Sequence, residues 1–359
     1  MSDSYDVAVI GAGPAGTSAA LHSARNGLKT VLFEEHASIG EPVHCGECLS
    51  QACIDKFNFV LPSDVVSFTA KGIRVIFPQG KVSVLNEPGV VLEKHKFEQW
   101  IARQAQDAGA EIRLSTRVTD LKRENGSWAI NAGAGQVSSK LVMDASGVTA
   151  FTSAKLGLNP RFGDVIGLQY EMEDIPQEGY IDFYIWPRLA PHGYLWMIPK
   201  SGGRANVGLV TKEKSKAKAY LDQFVSEMGW KAKKVNRTFG GLIPASGPAP
   251  RTYAQGLLLV GDAAGFTSPL FEGGTHLSVT SGKFAAQVAK DAVDKGDFSE
   301  EALSQYKRLW SAEFPDYAKI IGGKEALYNF TEEELGIIAS ALPADLTSMG
   351  VLGKAEVGA

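Results

Sequence analysis

Two stretches of this chain have the residue types and spacing to hold phosphates. The first is Gly11-Ala12-Gly13-Pro14-Ala15-Gly16, directly after the apolar run Val7-Ala8-Val9-Ile10. Gly11 permits a tight turn, Gly13 lets backbone approach a pyrophosphate, and Gly16 lets a helix pack close to its strand. Pro14 and Ala15 open that helix, whose N-terminal N–H groups and positive dipole end attract anions. A second strand, Thr30-Val31-Leu32-Phe33, runs into Glu34 and then Glu35. An acid at that remove from the glycines accepts hydrogen bonds from a ribose.

The second stretch is Gly256-Leu257-Leu258-Leu259-Val260-Gly261-Asp262-Ala263-Ala264-Gly265. An apolar strand here ends in Gly-Asp and small residues. Asp262 is suited to bind a ribityl chain, although an ordinary helix N-cap is the plainer role. The first motif alone does not separate NAD from FAD. Two nucleotide signatures at opposite ends of one chain fit FAD, which is long enough to use both. Downstream, Gly273, Gly274 and Thr275 would let backbone N–H groups approach a flavin ring and stabilise negative charge on its reduced form. His276 is either a donor near that ring or a histidine on a helix face. A further turn, Asp144-Ala145-Ser146-Gly147, ends another apolar strand, so Ala145 and Gly147 join the candidate cofactor residues.

The three cysteines, Cys45, Cys48 and Cys53, fall close together, an odd and clustered set unlike a secreted disulfide framework. Cys45-Gly46-Glu47-Cys48 is a C-x-x-C and admits redox chemistry. A metal site with His44 has too few and too local ligands. A glycine-permitted loop with inert thiols accounts for the same residues. Tyr170, Tyr180, Phe183, Tyr184, Trp186, Tyr194 and Trp196 crowd one stretch of the chain. On a strand Tyr194, Trp196 and Ile198 share one face. Such rings bury hydrocarbon at about 25 cal/mol per Å², so they suit either a β core or a channel for a long apolar substrate.

The elements that position these residues alternate along the chain. Residues 1–60 read as a βαβ unit with a long loop, and 61–90 as short strands of period two. Residues 94–108 form an amphipathic helix ended by Gly109, on which Arg103 could reach a pyrophosphate. Ala110–Leu114 is a third parallel strand, and 117–143 a hairpin crossover into Lys140–Met143. Residues 165–245 return to β patterning, broken by a helix near Ser215–Met228. Residues 256–295 restore the nucleotide domain, and the stretch from Ser299 is helical, with a capping box at Thr331 and Glu334. The expected fold class is α/β: a discontinuous Rossmann-like FAD-binding domain (1–60, 91–160, 246–298), an inserted β-rich substrate domain (61–90, 161–245) and a helical C-terminal region (299–359).

Length exceeds a single typical core at 359 residues. A net charge of -4 gives no reason to expect nucleic acid as a partner. No apolar run is long enough to span a membrane, and the acidic start enters a strand at once, leaving no room for a signal peptide. A cytoplasmic location is expected, with loose membrane association open.

The chain resembles the geranylgeranyl reductase family within the para-hydroxybenzoate hydroxylase superfamily, over roughly residues 5–330. The resemblance rests on the Gly11–Gly16 fingerprint, Val43-His44-Cys45-Gly46-Glu47, Leu92-Glu93-Lys94-His95-Lys96-Phe97-Glu98, Gly261-Asp262 and Glu272-Gly273-Gly274. Its most family-specific part is Tyr194-Leu195-Trp196-Met197-Ile198-Pro199-Lys200 followed by Asn206-Val207-Gly208. It implies an FAD enzyme that passes hydride to isolated C=C bonds of geranylgeranyl chains on archaeal-type lipid precursors, chlorophyll precursors or quinones. It implies an external electron donor, NAD(P)H or ferredoxin, with the choice open. It places Cys45 and Gly46 in a loop near the flavin, with Cys45 the candidate catalytic thiol. It places Val118 beside the adenine, and makes Tyr170, Phe183, Trp186, Tyr194, Trp196 and Pro199 candidates for the substrate wall.

Departures from the pattern are Lys94, where the family more often has arginine, and Cys48, where it more often has glycine. Superfamily hydroxylases usually show Asp-Gly where this chain has Ser146-Gly147, which argues against an NADPH-dependent hydroxylase. A flavin monooxygenase or halogenase of the same fold, an electron-transfer flavoprotein, and a non-enzymatic FAD binder are the competing readings.

Overall fold

The computed structural model describes residues 3–341 and the backbone of 345–346. The remainder of the expected C-terminal region, 342–344 and 347–359, lies outside the described residues, as do Met1 and Ser2. The chain divides into two compact units. One comprises Met1–Pro42, His95–Gly163 and Pro244–Tyr317; the other comprises Val43–Lys94, Asp164–Ile243 and Ala318–Ala359.

The first unit is built on a parallel sheet. Its order runs Glu111–Arg113, Thr30–Phe33, Ser4–Ile10, Gly135–Asp144, Leu257–Leu259, with Tyr253–Ala254 antiparallel on the last edge. Val7, Ala8, Val9, Leu141, Val142 and Met143 are fully buried, as strands covered on both faces require. Chain order reverses between Ser4–Ile10 and Gly135–Asp144, and open α/β sheets bind ligands at such a switch point. The strand expected at Lys140–Met143 begins earlier, at Gly135, because it also pairs antiparallel with the hairpin strand Ser127–Ala132.

Helices Pro14–Arg25 and Thr275–Lys295 pack closely in this unit. Ser18 Oγ donates to the carbonyl of Val279 at 2.7 Å. A Cβ on Gly282 would lie 2.5 Å from the carbonyl oxygen of Ala15. The small residues after the first glycine turn are therefore the contact surface for a helix from a distant part of the chain.

The second unit carries an extended sheet in the order Val235–Pro244, Asp164–Met172, Ala205–Thr211, Tyr194–Pro199, Ile181–Tyr184, Ile73–Ile76, Val82–Leu85, Asp345–Leu346. Helix Ala217–Glu227 belongs to the core on one face: Leu221, Phe224 and Val225 join Tyr184, Leu195, Met197, Val207 and Leu209. A small antiparallel sheet joins Cys48–Ser50, Gly89–Leu92 and Val66–Ala70.

That small sheet changes one expectation. Residues 43–60, read from the sequence as part of the nucleotide domain, cluster with the second unit, because Cys48–Ser50 pairs with Gly89–Leu92. The segment also contains a strand, Cys48–Ser50, at the end of the stretch expected as loop, and a short helix, Gln51–Phe57, directly after it. The capping box is present: Thr331 N donates to Glu334 Oε2 at 2.8 Å, and Glu334 N to Thr331 Oγ1 at 3.2 Å. Among the described residues no helix is long and apolar enough to cross a membrane.

Candidate functional site

Each unit holds part of the candidate machinery. In the first, the strand Ser4–Ile10 ends in Gly11, whose φ of +98° lies in the region that favours glycine. A Cβ on Gly11 would sit 2.5 Å from the carbonyl oxygen of Ala145, and one on Gly16 would sit 1.8 Å from the carbonyl oxygen of Gly11. Around Gly13 there is open space. Helix Pro14–Arg25 starts without a side-chain cap, so its first N–H groups are left for an anion.

The second signature reaches the same place. Gly261 has φ +58°, and a Cβ there would lie 2.7 Å from Cβ of Ala15. Gly261 N donates to Ser281 Oγ at 3.0 Å. Asp262 is half-buried; Thr267 Oγ1 lies 3.4 Å from its Oδ1, and a Cβ on Gly274 would lie 3.2 Å from the same oxygen. Segments 11–16, 144–147 and 261–265 thus converge, as the sequence motifs required. Asp144 is fully buried and ties down its own turn by accepting from Ser146 N at 3.0 Å and Thr152 N at 2.7 Å.

Glu34 is buried at the end of its strand. Its Oε2 accepts from Ala12 N at 2.8 Å, and its Oε1 from His36 N at 2.9 Å and His36 Nδ1 at 2.6 Å. A carboxylate offers about four acceptor sites, so room for ribose hydroxyls remains. Val118 is buried at the start of a hairpin strand. Gly147 has φ +69°. Thr275 is buried as the first residue of its helix, and Gly273 is surrounded by open space. Glu35 is exposed, 3.4 Å from Arg117, and Arg103 is exposed on helix Lys94–Asp107. An uncapped helix end, an open Gly13 and an obligatory Gly11 fit a dinucleotide.

In the second unit the aromatic residues divide between two faces of one sheet. Gln169, Gly208, Trp196, Phe183 and Val75 form a register row across five strands. Phe183 and Tyr194 meet edge-on with ring centroids 5.2 Å apart, and Tyr194 and Trp196 lie 5.8 Å apart. The Trp196 ring occupies the space above Gly208, where a Cβ would be 2.6 Å from it. Pro199 ends the same buried strand. Tyr170 and Trp186 do not join this group. Tyr170 is part of the core under helix Ala217–Glu227, with its hydroxyl donating to Asp222 at 2.6 Å. Trp186 packs edge-on against Tyr184 and Phe224. Tyr170 thus belongs to that core, and Trp186 packs partly buried against it.

The cysteine loop is tied to the Trp196 face. Trp196 Nε1 donates to Gln169 Oε1 at 3.1 Å, and Gln169 Nε2 donates to the carbonyl of Cys45 at 2.8 Å. A Cβ on Gly46 would meet Ile198 Cδ1 at 3.0 Å. None of the three cysteines is in a disulfide. Burial, with the charges of Cys45 and Glu47 adding, pushes the Cys48 thiol well above the usual cysteine range. Burial raises Cys53 to about 12. Cys48 therefore stays protonated at neutral pH, which disfavours the dithiol reading of the C-x-x-C. Among the described residues no group of three or more His, Cys, Asp or Glu could hold a metal.

One constellation was not singled out from the sequence. Glu47 and Lys200 are both fully buried, with Oε2 and Nζ 2.7 Å apart. Around them lie Glu93, Glu171, Asn206, Arg204 and Arg237. The available signal was Lys200 at the end of a wholly apolar strand: a buried lysine requires an acid.

The chain is similar along nearly its whole length to curated proteins. It is 35% identical over 365 residues to the digeranylgeranylglycerophospholipid reductase of Methanocaldococcus jannaschii, covering 96% of this chain and 92% of that one. It is 34% identical to digeranylgeranylglycerophospholipid reductase 2 of Methanothermobacter thermautotrophicus, covering 98% and 96%. The chain belongs to the geranylgeranyl reductase family. A geranylgeranyl bacteriochlorophyll reductase-like protein of Thermoplasma acidophilum superposes with TM-score 0.92 at 30% identity, covering 99% of this chain and 96% of that one. The family model described as lycopene cyclase protein matches residues 6–322. A halogenase solved in complex with FAD shares the fold, with TM-score 0.74 at 16% identity. As a member of the geranylgeranyl reductase family, the chain is a flavin-type oxidoreductase.

Proposed function

We propose that this protein saturates isolated C=C bonds of geranylgeranyl chains on lipid precursors, with FAD as its resident cofactor. The observation that carries this reading is the 35% identity to a digeranylgeranylglycerophospholipid reductase across 96% of the chain. When bound and reduced, FAD supplies the hydride. Electrons come from an external donor, NAD(P)H or ferredoxin.

An unactivated alkene has no carbonyl to polarise, so the chain contributes positioning and exclusion of water. Backbone N–H groups of Gly13, Ala15 and Gly16 at the helix start would hold the pyrophosphate, with Gly11 making the tight turn and Pro14 opening the helix. Glu34 accepts from the adenosine ribose, and Gly261 and Asp262 receive the ribityl side. Ala145, Gly147, Gly273, Gly274 and Thr275 bring backbone close to the cofactor. Phe183, Tyr194 and Trp196 line the prenyl chain, and Pro199 ends the strand that carries two of them. Cys45 holds a proton for the second carbon, and Gly46 keeps its loop close to Ile198. The lipid substrate brings the protein to a membrane surface.

The test is anaerobic mixing of the reduced protein with a geranylgeranyl lipid, read by the visible spectrum. Return of the oxidised flavin spectrum without oxygen supports the reading. No anaerobic reoxidation, with a flavin hydroperoxide spectrum when oxygen and an aromatic substrate are admitted, supports the monooxygenase or halogenase alternative instead.

A further inference from the structure

We propose that Glu47, Lys200 and Asn206 form a buried latch that fixes the Cys45 loop in its working conformation, making Glu47 and Lys200 positioning residues for prenyl reduction. The role assigned to Cys45 rests on the function proposed above; the latch itself rests on geometry alone.

Glu47 is a non-glycine residue with φ +72° and a side chain without solvent exposure. Strained backbone of this kind persists only where its surroundings over-determine it. Here they do. Glu47 Oε1 accepts from Lys94 N at 3.0 Å, while Oε2 accepts from Lys200 Nζ and Asn206 Nδ2, both at 2.7 Å. The Glu47 carbonyl accepts from Leu92 N at 2.8 Å.

The strain is transmitted to one neighbour. Glu47 N donates to Cys45 Sγ at 3.2 Å, a contact that depends on the turn Glu47 adopts. The Cys45 carbonyl is held from the other side by Gln169, which Trp196 orients. Cys45 is thus fixed at its sulfur by the latch and at its carbonyl by the aromatic row.

The alternative, that the ion pair only stabilises the unit, is weak on general grounds. Buried ion pairs contribute little over well-packed apolar residues, although breaking one costs a good deal. Among the described residues the buried Oδ1 of Asn206 has no hydrogen-bond partner, while its Nδ2 is committed to Glu47. The cluster is also balanced, with Glu47, Glu93 and Glu171 set against Lys200, Arg204 and Arg237, so it does not act as an anion site.

The test uses the full-length FAD-loaded protein with Glu47→Gln, Lys200→Met, the double variant and Asn206→Ala. Two readouts are taken well below the unfolding temperature: the iodoacetamide labelling rate of Cys45, mapped by mass spectrometry, and kcat and KM for prenyl saturation. The latch predicts severalfold altered labelling of Cys45 in all four proteins, with Cys53 labelling and FAD content unchanged. It predicts a fall in kcat of up to about a hundredfold with KM little changed, as misplacement of a reacting group produces. Glu47→Asp restores part of both. Asn206→Ala leaves no charge unpaired and decides the matter if the charge variants fail to fold. Wild-type labelling and kcat in a folded Asn206→Ala or double variant overturn the latch. Absence of prenyl saturation in the wild type overturns the functional reading, while the labelling comparison still judges the latch.

Discussion

The side chain of Ala15 occupies the space that a Cβ on Gly261 would need, 2.7 Å away. Residues from opposite ends of the chain thereby close one cradle, and neither can grow. Gly261→Ala meets both this contact and an unfavourable φ of +58°, and should destabilise the protein by about 1–3 kcal/mol. Gly273→Ala, in open space, should leave the unfolding temperature of the FAD-free protein unchanged while lowering flavin retention. Thermal unfolding and bound-FAD absorbance measured on both variants separate the two effects.

Trp196 lies against Gly208, so Gly208→Ala should cost about 1–3 kcal/mol by overpacking. Trp196→Phe keeps much of the apolar surface but removes the donor to Gln169. It should raise KM for a geranylgeranyl lipid and alter Cys45 labelling. Tyr170→Phe and Trp186→Phe, both in or against the helix-covered core, should leave KM unchanged. Steady-state kinetics on the three variants distinguish the wall from the core.

Two groups give separate acid limbs. Burial, with Lys283 and Arg25 adding, pushes His22 down from 6.5 to about 4. The unfolded chain therefore binds a proton that the folded chain resists, and stability falls as pH drops from 6.5 to about 4. Burial alone would raise Glu93, but Arg204, Lys200 and Ser67 hold it at about 2 against 4.5. Its contribution is full above pH 4.5 and is lost as pH falls through about 2, roughly 1–2 kcal/mol after solvent screening. Denaturant melts against pH should show His22→Gln flattening the upper window and Glu93→Gln the lower.

With the Cys48 thiol held protonated by burial, Cys48→Ser should retain turnover close to wild type. Cys45→Ser should lower kcat. Equal loss in both would restore the dithiol reading.

The glycine turn, its acid and the capping box were legible because each is set by local spacing. The alternation that puts Tyr194, Trp196 and Ile198 on one face was legible for the same reason. The partition of Tyr170 and Trp186 was not. Tyr170 pairs with Val207 rather than Gly208, and one residue of register between strands decides which face it joins. The membership of 43–60 depended on Cys48–Ser50 finding Gly89–Leu92, a pairing with no local signature. Glu47 and Lys200 are 153 positions apart; only the oddity of a lysine ending an apolar strand hinted at a partner.

The most direct measurement is the mass of a geranylgeranyl lipid after anaerobic incubation with the reduced, FAD-loaded protein. The account predicts a gain of two hydrogen atoms for each double bond saturated. An unchanged lipid, or a rearranged product of the same mass such as a cyclase would yield, would contradict it.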